Sequence, residues 1–268
     1  MRFETSKYRE TDLVDVPERG LVQYIINEAS TLYSFFNFVV EPAIGSPHDR
    51  QRWDYLLFAE APRFELGLGP GQPGDIDVLI IPVFDKIPRA EFSAGIEVKR
   101  LALRGPNWLK NVDRYGVSQA EGLLRAGLPF VGILHLIVNR PGPPDNWKNL
   151  TKARVIDDQG RIELMGESRV DMTGYLSAER QFARLLSRNP SEAIGLNCIA
   201  LSQIQDDDGK HVWFSTTEPA IRHAKRNPRT HPMMVRNLQS LAEWAQSKAS
   251  PRVADQRRQA AKNAGGVW

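Results

Sequence analysis

The sequence predicts an α/β protein whose first half runs helix, three strands, helix, strand, with an α+β extension behind it. Three observations carry that expectation. Apolar residues recur at helical spacing after Pro17 (Leu21, Ile25, Leu32, Phe36) and again from about Val112 to Ala126, at Tyr115, Gln119, Leu123 and Ala126. Unbroken apolar runs at Ile76 to Phe84 and Phe130 to Val138 have the length and composition of buried strands. Gly/Pro-rich stretches separate these segments, notably Gly67-Leu68-Gly69-Pro70-Gly71-Gln72-Pro73-Gly74 and Pro141-Gly142-Pro143-Pro144.

In chain order, Met1 to Val16 is polar without a period, the pattern of a mobile arm or an edge strand. Pro17-Glu18 suits a helix start. At about 100° per residue Glu28 falls beside Leu21 and Leu32, at the margin of the first apolar stripe, where an acid either snorkels to water or has a task. Trp53 to Ala59 fits a short helix or a strand, and Phe64-Glu65-Leu66 a short strand. Ile76 to Phe84 follows the Gly/Pro loop, Asp85 to Pro88 turns the chain, and Phe92 to Leu103 forms the third strand, closed by Gly105-Pro106-Asn107. The helix over 112–126 and the strand over 130–138 complete the first half. Beyond it are a hairpin from Arg154 to Leu164 around Asp157-Asp158-Gln159-Gly160, a helix from Tyr175 to Arg188, and a strand pair, Ile194 to Ile204 with His211 to Thr216. A last helix from Arg229 to Ser247 turns Met234, Leu238, Leu241, Ala242 and Ala245 inward. The expected organisation is a core over 1–140, an extension packed on it over 141–250, and a basic, disordered tail over 251–268.

Composition narrows the class. With 268 residues, 41% hydrophobic and 25% charged, the chain can bury one large core. The single Cys198 excludes an internal disulfide and points to a reducing compartment, and without a cysteine cluster a structural zinc site is not expected. No run of about 18 apolar residues would cross a membrane, and Met1-Arg2-Phe3-Glu4 does not open a signal peptide, so a cytoplasmic location is expected. The net charge of +3 is uneven: from Arg222 onward ten Lys/Arg face two acids, giving +8 there and −5 elsewhere. Such a segment either docks on a phosphate backbone or is simply solvated.

The chemistry concentrates in Asp77 and Glu97-Val98-Lys99. Side chains alternate along a strand, so Glu97 and Lys99 share one face while Ile96 and Val98 pack on the other. Asp77 is the companion acid on the preceding strand. Two neighbouring carboxylates repel unless a cation lies between them, which makes a divalent metal the economical reading; the bland alternative is a structural salt-bridge cluster. An acid after a Gly/Pro loop, then Glu-X-Lys on the next strand, between two helices, resembles the PD-(D/E)XK nuclease superfamily over roughly Leu21 to Asn139.

That resemblance implies a restriction-endonuclease-like core, a mixed sheet flanked by helices. Asp77 matches the family's metal-binding aspartate, Glu97 its second acidic ligand and Lys99 its lysine. Glu28 matches the additional acid on the first core helix, and Gln119 the polar residue presented by the helix after the lysine strand. The text departs from the pattern at Pro73-Gly74-Asp75-Ile76-Asp77, where Asp75 competes with Asp77. It also has Leu123 where the glutamine-bearing branch has tyrosine.

On this basis the chain is expected to be a metal-dependent nuclease, acting on DNA ahead of RNA. Asp77, Glu97 and the Val98 carbonyl would hold Mg²⁺, with Mn²⁺ able to substitute, and Glu28 a second ion. Lys99 would orient or activate water, or act as a base if its pKa falls, and Gln119 would position the phosphate. The alternative is an inactive nuclease-fold protein serving as a nucleic-acid-binding or scaffolding subunit. A homo-oligomer or protein partner is left open. Arg100 and Arg104 continue the lysine strand and are candidates to touch the substrate backbone. Gly116-Val117-Ser118-Gln119-Ala120 lacks the last glycine and the strand of a nucleophile elbow. Asp206-Asp207-Asp208-Gly209-Lys210 lacks the remaining calcium ligands. The five histidines show no ligand spacing; His135, in phase with Val131, Ile133 and Ile137, reads as a core or near-site residue.

Overall fold

A computed structural model describes residues 13–27, 31–45, 53–61, 66–67, 75–103, 116–139, 142, 144–157, 159–205, 211–215 and 221–248. The fold is mixed α/β: an eight-stranded mixed sheet with helices on both faces. Its central path joins β1 (Trp53–Ala61), β2 (Ile76–Phe84), β4 (Ala94–Leu103), β5 (Phe130–Asn139), β8 (Ile194–Gln205) and β10 (Ile221–Arg222). The short β3 (Ile87–Pro88) pairs with β2, and β9 (His211–Ser215) with β8. β2 runs antiparallel to both β1 and β4, whereas β4, β5 and β8 are parallel. β4 is therefore the junction between the two halves of the sheet. β5, with neighbours on both edges and helices on both faces, is buried along its whole length, which is why its sequence shows no alternation.

On one face lie α1 (Glu18–Asn27) and α2 (Thr31–Ile44), whose Leu21, Ile25, Phe35, Phe36 and Val39 pack with Val78, Ile80, Ile96, Val98 and Leu136. Phe38 of α2 sits over Gly132 and Gly195, register partners on β5 and β8. A Cβ at Gly132 would come 2.5 Å from the Phe38 ring, so the absence of a side chain there sets how closely α2 approaches the sheet. The other face carries α3 (Val117–Arg125), α4 (Thr173–Ser187) and α5 (Pro232–Lys248). Ala120, Leu123, Phe182, Leu185, Met234 and Leu238 from these helices cover Leu79, Ile81, Val131, Ile133 and Leu196. A separate hairpin, β6 (Trp147–Val155) with β7 (Ile162–Asp171), follows β5 and exposes Ile162, Leu164 and Met165. Its base is tied by Asp171, whose carboxylate accepts the backbone N–H groups of Gly142 (2.6 Å) and Thr173 (2.9 Å).

Several expectations need correction. The helical stripe from Leu21 to Phe36 belongs to two helices, α1 and α2. Trp53 to Ala61 is a strand and supplies the first of the three, whereas Leu66 lies in a turn whose carbonyl accepts the Asn237 side-chain N–H at 2.7 Å. Phe92 closes a short 3-10 turn before β4. The sheet itself runs past residue 140, because β8 continues it beside β5 in parallel register. Glu28, Phe64, Arg104, 112–115 and the 251–268 tail lie outside the described residues, as do 1–12 and 206–210. No helix among the described residues is long and apolar enough to cross a membrane.

Candidate active site

The site forms where β2 and β4 part. Their ladder covers only Ile80↔Ala94, Leu79↔Gly95 and Val78↔Ile96. Beyond that point β4 continues beside β5 alone, so its backbone groups on the β2 side need other partners. Two carboxylates supply them. Asp77 Oδ2 accepts the Val98 N–H at 2.8 Å, and Glu18 Oε2, from the first turn of α1, accepts the Arg100 N–H at 2.7 Å. The N–H and C=O of one strand residue point to the same edge, so the Val98 carbonyl is directed into this fork as well.

Glu97 and Lys99 stand on the face covered by α3. Lys99 Nζ donates to Glu97 Oε1 at 2.8 Å and lies 3.8 Å from Asp77 Oδ2 and 3.9 Å from Glu18 Oε1. Glu97 is fully buried, and among the described residues its second oxygen, Oε2, has no hydrogen-bond partner. Burial, and then the Asp77 charge beside it, raise the Glu97 pKa from 4.5 to about 7 against the opposing pull of Lys99. For Lys99 burial works to lower the pKa. The hydrogen bond and charge of Glu97, with Asp77 and Glu18, outweigh it and raise the pKa instead. The condition for Lys99 to act as a base, a depressed pKa, is therefore not met in this arrangement.

α3 starts directly over this pair. Its N-cap, Gly116, has φ +97°, and a Cβ there would stand 3.5 Å from Glu97 Cγ and 3.7 Å from Lys99 Cγ. The left-handed turn is what favours glycine there. Gln119 follows in the first helical turn, half-exposed, and makes no hydrogen bond to Asp77, Glu97 or Lys99. His135 is buried one strand over, in register with Lys99, with Nδ1 3.1 Å from the Gln181 side-chain nitrogen of α4.

Asp77, Glu97 and Lys99 thus converge. Asp75 is exposed at the entry to β2, and it is Asp77 that reaches β4. Glu18 is the residue that the sequence reading passed over: Pro17-Glu18 signals a helix start, and nothing local says that its carboxylate will meet a strand 82 residues later. The next residue, Arg19, ion-pairs with Glu60 of β1 at 2.7 Å, so the first turn of α1 spans β2 and ties both strands flanking it. Arg100 turns its guanidinium to the Val14 carbonyl, inward rather than toward a substrate.

Glu60 itself has φ +52° inside a strand. A left-handed non-glycine residue costs about 1–2 kcal/mol. An ion pair with an arginine whose side chain is 79% exposed offsets at most about 1 kcal/mol of that.

A cation between Asp77 and Glu97 is compatible with these residues in one specific respect: Glu97 offers a buried, unpartnered hard oxygen next to a second carboxylate. Among the described residues no three His, Cys, Asp or Glu side chains are grouped to hold a metal ion, and the Lys99 ammonium lies amid the carboxylates. The basic stretch is partly structural. Arg222 donates to the carbonyls of Ser191 and Ile194, and Lys225 pairs with Glu192. The run through Asn227 to His231 is bonded to Leu124, Gly127 and Leu128, at the end of α3 away from Gly116. A scan against protein-family models finds no match, and searches of curated proteins and of solved structures find none either.

Proposed function

We propose that this chain is a metal-dependent nuclease of the PD-(D/E)XK kind, hydrolysing phosphodiester bonds, DNA ahead of RNA. One observation carries the reading: Glu97 is held fully buried beside Asp77 with an oxygen that accepts no hydrogen bond from any described residue. A structural salt bridge at such depth would be expected to engage both oxygens, because an unpaired buried polar atom costs about 1–3 kcal/mol. An oxygen left open next to a second acid supports a ligand.

Asp77, Glu97 and the Val98 carbonyl would hold Mg²⁺ or Mn²⁺. Such an ion supplies charge neutralisation at the phosphate and an acidified water. The chain's own groups do the rest. Asp77 is oriented by the Val98 N–H through Oδ2. Glu97, with its pKa near 7, gives up its proton easily once positive charge approaches Oε2. Lys99 stays an ammonium, and its role is to hold the attacking water or the anionic phosphate oxygens by donation and charge, not to remove a proton. Glu18 would be a further acid at the site, from the first turn of α1. Its Oε1 lies near Lys99 while Oε2 fixes β4. Gln119, in the first turn of the helix seated over Glu97, would meet a substrate phosphate entering from the fork.

One observation favours the second reading, an inactive nuclease-fold protein that binds nucleic acid: Lys99 is already balanced by three carboxylates without any metal. Calorimetric titration with Mn²⁺, followed by incubation with linear and circular DNA and RNA, separates the two. Saturable binding and cation-dependent cleavage support the nuclease. Salt-sensitive nucleic-acid binding with neither of these supports the binding module.

A further inference from the structure

We infer that Glu60 is a positioning residue for Asp77, acting through the left-handed turn of its backbone and not through its carboxylate. The inference builds on the nuclease reading only in its metal arm. Four described non-glycine residues have positive φ: Glu60, Asp85, Lys86 and Asn189. Three have ordinary reasons. Asp85-Lys86 is the two-residue turn between β2 and β3, where left-handed residues match the strand twist. Asn189 lies just past the end of α4, where asparagine commonly terminates a helix. Glu60 alone sits in a strand, and its ion pair with Arg19 is too exposed to compensate. Strain of that kind persists where the surroundings impose it, typically beside functional groups.

What the turn does is legible in the register. β1 pairs with β2 at Ala59↔Val78 and Ala61↔Ile76, and the count does not change between them, so Glu60 stands opposite Asp77. That one pair is missing from the ladder. On the other side the β2–β4 ladder has ended one residue earlier, at Val78. Among Ile76–Phe84, Asp77 is thus the only residue without a ladder partner on either neighbouring strand among the described residues. A regular β conformation at Glu60 would restore the Glu60↔Asp77 pair and draw Asp77 into the β1 ladder, away from β4. The left-handed turn keeps β1 off it, which leaves the Asp77 carboxylate free to take the Val98 N–H and stand beside Glu97.

The test compares Glu60→Gly, Glu60→Asn, Glu60→Gln and Glu60→Val in the full chain, with two readouts. The first is residue-resolved hydrogen exchange of the Val98 amide, which reports the bond to Asp77 whether or not the protein cuts anything. The second is the Mn²⁺ dissociation constant. Glycine and asparagine accept the left-handed region and valine resists it, while all four remove the carboxylate. The expected result is Val98 protection within about threefold of wild type for Gly, Asn and Gln, and at least about tenfold lower for Val, since a lost hydrogen bond of ordinary strength corresponds to that factor. The Mn²⁺ constant should follow the same order. Equal loss of protection in Gln, Gly and Asn would show that the carboxylate is what matters and overturn the inference, as would a Val variant as well protected as wild type. Should the Val variant fail to fold, Glu60→Thr, likewise β-branched and averse to the left-handed region, takes its place under the same criterion. A wild type with a protected Val98 amide that binds no Mn²⁺ would count against the nuclease reading and leave the positioning role standing.

Discussion

Replacing Glu97 by glutamine keeps the side chain's shape and its Oε1 acceptor for Lys99 but removes the buried charge. The Glu97 pKa rises from 4.5 to about 7, so holding the carboxylate ionised in the folded state costs about 3 kcal/mol above pH 7. Because the folded value is the higher one, the penalty is absent below pH 4.5, grows between 4.5 and 7, and is complete above 7. That penalty is already net of the attraction to Lys99, and relaxation around the site reduces what the variant recovers, so a net stabilisation of about 1–2 kcal/mol is expected at pH 8. In a chain of this size that corresponds to a Tm increase of roughly 2–6 °C. The assay is thermal unfolding of both proteins in EDTA from pH 4.5 to 8.5, repeated with Mn²⁺. The variant should melt higher at pH 8, the difference should vanish toward pH 4.5, and Mn²⁺ should stabilise the wild type alone, by about 2.7 kcal/mol at a hundredfold excess over Kd. A Glu97→Gln protein that melts below wild type at pH 8 in EDTA would refute the reasoning. The ionised carboxylate would then be a net stabiliser and the cluster a structural salt bridge.

Three further substitutions probe separate links. Lys99→Ala should lower cation-dependent cleavage at least about 100-fold in single-turnover assays. It should also destabilise the fold at pH 8 in EDTA by up to about 3 kcal/mol, since Glu97 and Asp77 lose their counter-charge; unchanged stability would mean that the ion pairs are not formed. Glu18→Ala should cost about 1–2 kcal/mol in denaturant unfolding by leaving the Arg100 N–H without its acceptor, and no change would disprove the contact between α1 and β4. Gly132→Ala should cost about 1–3 kcal/mol by driving a methyl group into Phe38, with part of the loss recovered in the double variant with Phe38→Leu. Failure of that recovery would place the strain elsewhere.

How much was legible beforehand follows from the range of the signals. Glu97 and Lys99 could be put on one face because strand alternation is local, and Asp77 could be paired with them because β2 and β4 are neighbouring antiparallel strands. β1 was ambiguous because Leu56 and Phe58 pack on one face and Tyr55 and Leu57 on the other, which erases the alternation that marks a strand. The apolar spacing from Leu21 to Phe36 passed for one helix because α1 and α2 lie close together in sequence and pack on the same face. Glu28 lies outside the described residues; among the described ones Glu18 also reaches the site, joined to Arg100 by a tertiary contact no local pattern announces. The parallel pairing of β8 with β5 was hidden for the same reason: Val131 and Ile194 are register partners far apart in the chain. The ladder break at Asp77 and the turn at Glu60 leave no trace in residue type, since glutamate is not a residue that favours the left-handed region.

The measurement closest to the central claim is cleavage of linear, circular and single-stranded DNA, and of RNA, by wild type, Glu97→Ala and Lys99→Ala, each with Mg²⁺, with Mn²⁺ and with EDTA. The account predicts cutting by wild type with either cation, none in EDTA, and a loss of at least about 100-fold in both variants. Cutting that persists in EDTA or in either variant would contradict it, and binding of nucleic acid without any cutting would put the inactive nuclease-fold reading in its place.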